Sequence, residues 1–127
     1  MMLNVYQEIV MDHYRNPRNN GIIDKTDFCS EQRNTACGDE ICFTGRISDN
    51  ILVDVAFKGK GCVISQATAS LLSEHVKNKS LETIVALDKD DIIAMLAMPL
   101  GPVRLLCSLL SLTALQCGIK EYKNQRE

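Results

Sequence analysis

The sequence predicts an α+β fold, a small three-stranded antiparallel sheet with helices packed on it, and three observations carry that prediction. Apolar residues near the N-terminus recur at three- and four-residue spacing. The middle of the chain alternates with period two on both sides of a short polar turn. From residue 62 onward the spacing is helical again. Strands followed by a run of helices give a layered fold of this class. The length, 127 residues, suits one domain over residues 1–127.

The first element is expected over Leu3 to Tyr14, where Leu3, Tyr6, Ile9, Val10, His13 and Tyr14 share a helix face. Asn16-Pro17-Arg18-Asn19-Asn20-Gly21 ends it, because proline and glycine interrupt the helical ladder. A first strand is expected over Ile22 to Cys29. Two further strands form a hairpin. Ile41, Phe43, Gly45 and Ile47 alternate with polar neighbours, then Ser48-Asp49-Asn50 turns the chain into Ile51, Val53, Val55 and Phe57.

Ile64, Ala67, Thr68, Leu71, Leu72, His75 and Val76 form the stripe of the next helix, with Ser65 as its expected N-cap. Ser80 suits the cap of a short helix from Leu81, and Asp88 to Met98 suggests another. Pro102 fits the first turn of a last helix running to about Lys123.

Composition excludes several function classes. Fourteen basic against sixteen acidic residues leave a formal charge of −2, with the signs scattered. Nucleic acid and basic membrane-surface binding are therefore not expected. No Trp is present, and three Tyr with three Phe make a poor base-stacking platform. The stretch Ile92 to Cys117 is interrupted by Pro99, Gly101, Pro102 and Arg104 and does not read as a membrane span. Met1 to Glu8 lacks a basic segment and a long apolar run, so a cytoplasmic location without a signal peptide is expected.

Cysteines at 29, 37, 42, 62, 107 and 117 are the unusual feature. In a reducing compartment they more often bind metal or react than form disulfides. Cys37 lies in Ala36-Cys37-Gly38-Asp39 before a strand, Cys62 in Gly59-Lys60-Gly61-Cys62 between strand and helix, and Cys107 in the opening turns of the last helix. All three are at element ends, where loops converge. A bend at Gly38 would bring the Asp39 carboxylate to the same place. Thiolates are soft ligands for zinc or iron–sulfur units, and a carboxylate is a harder, more exchangeable one. Three thiolates and one carboxylate complete a tetrahedral site. The spacings of 25 and 45 residues, with no C-x-x-C, are not specific by themselves. Buried cysteines that serve only as small hydrophobes remain the alternative.

Four stretches in register say more: Tyr6 to Gly21 (YQEIVMDHYRNPRNNG), Ala36 to Glu40 (ACGDE), Asp54 to Ser70 (DVAFKGKGCVISQATAS) and Val103 to Leu110 (VRLLCSLL). Together they resemble the U-type iron–sulfur cluster assembly family of IscU, SufU and the N-terminal domain of NifU, in order along nearly the whole chain. The resemblance implies a sheet with helices on one side. It implies Cys37, Asp39, Cys62 and Cys107 as ligands of a [2Fe–2S] cluster or iron, with zinc as the alternative occupant. It also implies a cysteine desulfurase as sulfur donor, apo iron–sulfur proteins as clients, and Cys107 as the persulfide acceptor. The chain would then be a scaffold or carrier, or alternatively a zinc-bound sulfurtransferase that activates the desulfurase.

Two departures stand out. The His that IscU-type members carry before the third cysteine is Leu106 here, as in SufU-type members, yet the insertion those members carry before that cysteine is missing. The Hsp70-recognition motif Leu-Pro-Pro-Val-Lys appears only as Met98-Pro99-Leu100-Gly101-Pro102-Val103-Arg104, so docking of such a chaperone is not implied.

Remaining residues have plainer readings. His75 and His13 are expected to be satisfied core histidines. Cys29, Cys42 and Cys117 are read as packing or incidental surface thiols. Met95 and Met98 read as core. Lys60 and Arg104 are either solvated charges or cations that stabilise thiolates.

Overall fold

The computed structural model describes residues 5–35, 38–97 and 100–126. Helix α1 spans Val5–Arg15 and is followed by strands β1 (Phe28–Asn34), β2 (Asp39–Ser48) and β3 (Ile51–Lys60). Helices α2 (Val63–Val76), α3 (Leu81–Val85), α4 (Lys89–Leu96) and α5 (Pro102–Arg126) complete the chain. The strands form one antiparallel sheet in the order β1-β2-β3. Helices α2 and α5 pack on the face that carries Ile41 and Phe43.

The hairpin forms where period two predicts it. Asp49 and Asn50 sit at φ 51° and 65°, the left-handed pair that a two-residue hairpin needs to match strand twist. The facing pattern changes along β3, however. Arg46 pairs Asp54 and the next pair is Ile47 with Leu52, so Val53 is an extra residue. This bulge reverses the parity. Leu52 turns into the core with Val55 and Phe57, and Val53 is exposed.

The expected strand over Ile22 to Cys29 lies later, at Phe28–Asn34. Lys25 adopts φ 55°, which breaks an extended run. The segment before β1 crosses the outer face of the sheet instead. Gly21 N–H donates to Phe57 O, Ile23 N–H to Thr44 Oγ1, and Asp27 N–H to Gly45 O. The strand that does form is polar toward its end, Glu31 to Asn34, as suits an exposed edge. Helix α5 approaches this strand closely. A Cβ at Gly118 would lie 2.5 Å from Phe28 Cδ2 and 3.0 Å from Ser30 Cβ.

Helix α2 is the centre of the helical layer, in contact with α1, α5 and β3. Its buried residues include Ser65, Ala67, Ala69, Ser70 and Ser73, small side chains that let two helices approach. The buried arc is therefore rotated toward the small residues, and His75 is exposed rather than in the core. His13 is buried as expected. Its Nδ1 is 2.7 Å from Ser70 Oγ, and that oxygen also accepts Arg18 N–H at 2.9 Å. On the other side of the ring, Nε2 lies 3.4 Å from Glu74 Oε1, so both ring nitrogens have a polar partner.

Short helices start as the sequence suggests. Ser80 caps α3, and Asp88 with Asp91 forms a capping box on α4. Helix α5 begins at Pro102 and contains an 18-residue window, of mean hydropathy 1.4, long and apolar enough to cross a membrane. Its apolar residues Leu110, Leu112, Ala114, Leu115 and Ile119 are part of the core. Gln116 Nε2 donates to the carbonyls of Ile84, Val85 and Leu87, tying α5 to the end of α3. Leu3, Met98 and Pro99 lie outside the described residues, as does the side chain of Tyr6. Half of the Met95–Met98 reading is therefore beyond description; Met95 itself packs against the core.

Candidate metal centre

Asp39 opens β2 after a turn in which Gly38 takes φ 74° and its N–H donates to Asn34 O. Positive φ at Gly38 supplies the bend expected there. The Asp39 side chain points to the helix-covered face and is 1% exposed. At the same open end of the hairpin, where Lys60 pairs with Glu40, β3 runs out and Gly61-Cys62 leads into α2.

Cys62, not Ser65, is the N-cap of α2. Its Sγ accepts the Ser65 N–H at 3.4 Å, while Ser65 Oγ–H donates to Cys62 O at 3.1 Å. Ser65 serves the same helix end from three residues in. Asp39 Oδ1 accepts the Cys62 N–H at 2.9 Å, and the Cys62 thiol faces Oδ2 at 3.8 Å. A carboxylate bonded to a backbone N–H at a helix start is held by charge-assisted hydrogen bonding and by the positive helix end.

Gly61 makes this possible. It sits at φ 147°, and a Cβ there would lie 2.0 Å from Asp39 Oδ1 and 2.9 Å from Ser65 Oγ. Only glycine lets the carboxylate lie against the chain at this point. Sequence reasoning singled out Cys62 and passed over Gly61. A glycine directly before a cysteine at a strand-to-helix junction was the available signal.

Cys107, in the second turn of α5, completes the cluster. Ligand atoms of Asp39, Cys62 and Cys107 all lie within 4.8 Å of one another. Ser111 Oγ–H, one turn further along α5, donates to Ser65 O at 3.5 Å and links the two helices behind the site. Three groups separated by up to 68 residues thus meet at one edge of the sheet. Cys62 is exposed, Cys107 is 3% exposed, and beside it Leu106 is 61% and Val103 69% exposed. Cys37, the fourth expected ligand, lies outside the described residues.

The donor set fits a thiophilic cation. In a tetrahedral site with bonds of about 2.0–2.3 Å, sulfur and oxygen ligands lie about 3.5–3.8 Å apart, and the Cys62 Sγ to Asp39 Oδ2 separation is 3.8 Å. Of the two cations considered from sequence, Lys60 extends along the outer surface, 3.7 Å from Glu40 Oε2, and Arg104 is exposed. Cys117 is half-buried on α5. Cys29 and Cys42 lie on the far side of the sheet, away from this cluster.

Comparison with known proteins agrees with the geometry. The family model described as NifU-like N terminal domain matches residues 5–127. The chain is 39% identical over 126 residues to the iron–sulfur cluster assembly scaffold protein IscU of Escherichia coli K12, covering 96% of this chain and 97% of that protein. It is 33% identical over 132 residues to the zinc-dependent sulfurtransferase SufU of Bacillus subtilis, covering 91% and 89%. The N-terminal part of a nitrogen-fixing NifU-like protein from Brucella abortus superposes with a TM-score of 0.80 at 17% identity, over 95% of this chain and 96% of that one, and shows the shared fold.

Proposed function

The chain belongs to the NifU-like N-terminal domain family, that of the IscU and SufU iron–sulfur assembly proteins, and on that premise we propose that it is a scaffold on which a [2Fe–2S] cluster is built and from which it is released. The observation that carries the reading is the convergence of Asp39, Cys62 and Cys107 within 4.8 Å at one end of the sheet, with Cys62 exposed. Cys37 is the fourth ligand in this proposal. The cluster is cargo, so the site must both hold it and let it go. A carboxylate in place of a fourth thiolate serves that end, because the iron–oxygen bond exchanges more readily than iron–thiolate.

Sulfur comes from a cysteine desulfurase and the product goes to apo iron–sulfur proteins, in the cytosol. The first sulfur is accepted at Cys107, whose thiolate takes the outer sulfur of the desulfurase's cysteine persulfide while the donor cysteine leaves as a thiolate. An external two-electron reductant then brings that sulfur to the sulfide of the cluster. The Cys107 thiol is 3% exposed, so the opening turns of α5 must swing outward to admit the donor. Val103 and Leu106, apolar and exposed beside it, are the surface such a partner would cover.

Anaerobic reconstitution with ferrous iron and sulfide tests the proposal. The expected product is brown, with iron and acid-labile sulfide near one to one. Folded protein that takes up neither would overturn it.

A second reading has its own support. Leu106 stands where IscU-type members carry a ligand-side His, and the chain is also similar to a zinc-dependent sulfurtransferase. In that reading Cys37, Asp39, Cys62 and Cys107 hold zinc, and one cysteine takes sulfur from the desulfurase. Zinc supplies charge that keeps the thiols deprotonated and ready to react. The chain's own part is to position the carboxylate through Gly61 and the Cys62 N–H. Stoichiometric zinc as isolated, with a several-fold gain in desulfurase turnover, would favour this reading over the first.

A further inference from the structure

Two of the three cysteines that no ligand motif claims, Cys29 and Cys42, are brought together by the sheet. Cys29 on β1 pairs with Thr44, and Cys42 on β2 pairs with Glu31, so the thiols are diagonal neighbours on the same face. Their Sγ atoms are 3.7 Å apart. This is the face opposite Ile41 and Phe43. Cys42 therefore points away from the side that carries Asp39. The metal centre and the cysteine pair lie on opposite faces of the sheet and cannot share one ion.

We propose that Cys29 and Cys42 form a second, independent site, a two-thiolate chelate for a soft d10 cation such as zinc or cadmium. Two thiolates on one tetrahedral ion, with metal–sulfur bonds of about 2.3 Å, lie about 3.8 Å apart. The observed 3.7 Å separation matches that bite without movement of either strand. A disulfide, by contrast, requires the sulfurs to close to about 2.05 Å.

The surroundings suit such an ion. Cys29 is exposed and Cys42 half-buried. Beside Cys42 is an open recess lined by Ile22, Glu31, Glu40, Lys58 and Lys60, with room for water at the remaining coordination positions. Binding is an exchange of protons for metal: both S–H bonds break, two metal–sulfur bonds form, and two protons leave to buffer. The dication replaces two protons, so local charge is unchanged and the balance of Glu31 and Glu40 against Lys58 and Lys60 is undisturbed. Burial and the neighbouring Cys29 push the Cys42 thiol up to about 11. The Cys42 thiol is thus protonated at rest, and the cation must displace its proton.

The experiment titrates cadmium into the reduced full-length protein and follows alkylation of each cysteine by iodoacetamide, resolved by peptide mass spectrometry. One equivalent beyond that taken by the metal centre is expected to protect Cys29 and Cys42 together, at least tenfold in rate, with two protons released per ion. In a Cys62→Ser variant the joint protection should persist. In Cys42→Ser, protection of Cys29 should be lost while Cys62 and Cys107 remain protected. Equal alkylation rates with and without metal, protection of one thiol alone, or joining of the two in a disulfide instead of cation capture would each overturn the proposal. Failure of cluster reconstitution at the metal centre leaves these readouts untouched.

Discussion

Replacing Gly61 by Ala tests the construction of the metal centre at its tightest point. The added methyl would lie 2.0 Å from Asp39 Oδ1 and 2.9 Å from Ser65 Oγ, so the carboxylate has to leave. Two contributions follow. A non-glycine residue held at φ 147° is strained by about 1–3 kcal/mol. Expelling the carboxylate forfeits its charged hydrogen bond to the Cys62 N–H, worth about 1.5–3 kcal/mol. Together the substitution is expected to destabilise the fold by about 2.5–6 kcal/mol, a large fraction of ordinary domain stability. The two parts separate in a double-mutant cycle. In an Asp39→Ala background the methyl meets no carboxylate, so Gly61→Ala should cost only the backbone strain and a small shift of the Ser65 hydroxyl, and the coupling should be about 2 kcal/mol. Urea unfolding of the four proteins without metal measures this, and zinc affinity of each folded variant gives the consequence for the site. Equal unfolding midpoints for Gly61→Ala and the parent, or strict additivity with Asp39→Ala, would refute the reasoning.

Other expectations follow from the same contacts. Asp39→Ala should give a cluster that survives longer in air and transfers more slowly to an apo-protein, read from the decay of visible absorbance; a variant that loses cluster faster than the parent contradicts the release role of the carboxylate. Gly118→Ala would drive a methyl into Phe28 and Ser30. Overpacking of this kind costs about 1–3 kcal/mol, and an unchanged thermal midpoint would show that α5 shifts freely on β1. Burial, with Arg18 adding to it, holds the His13 imidazole below its ordinary value of 6.5. The unfolded chain therefore binds this proton more readily than the folded one, and stability should fall as pH drops below about 6.5 and level off once the folded imidazole also protonates. His13→Gln should flatten that slope in denaturant titrations between pH 7 and 5; an unaltered slope would remove His13 as its source.

Much of the architecture was legible before any coordinates. Alternation placed the hairpin, and Ser80, Asp88 and Pro102 marked three helix starts, because these signals are local: a cap or a turn is satisfied by its own neighbours in the chain. Where local signals misled, a distant partner had decided. His75 fits an apolar stripe by spacing. The buried side of α2 is instead set by the elements that pack on it, among them α1, whose His13 meets Ser70, and His75 is left exposed. Val53 fits the strand alternation, yet the bulge at β3 turns it outward. Ser65 is the better cap by residue type, but Asp39 holds the Cys62 N–H and puts Cys62 at the cap position.

From the chain alone came the ligand chemistry: sulfur-bearing residues and an acidic one at element ends, with family motifs around them. Residue type and order are sufficient for that, since softness and exchangeability belong to the side chains themselves. Distance was decided only by the fold. Asp39, Cys62 and Cys107 meet because the hairpin brings the start of β2 beside the end of β3 and α5 packs back across the sheet. Cys29 and Cys42, thirteen residues apart, become neighbours through a strand register set where Phe28 packs on Gly45. A slip of one residue in that register would carry one thiol to the opposite face, because side chains alternate along a strand while hydrogen bonds bind the strands in a single alignment.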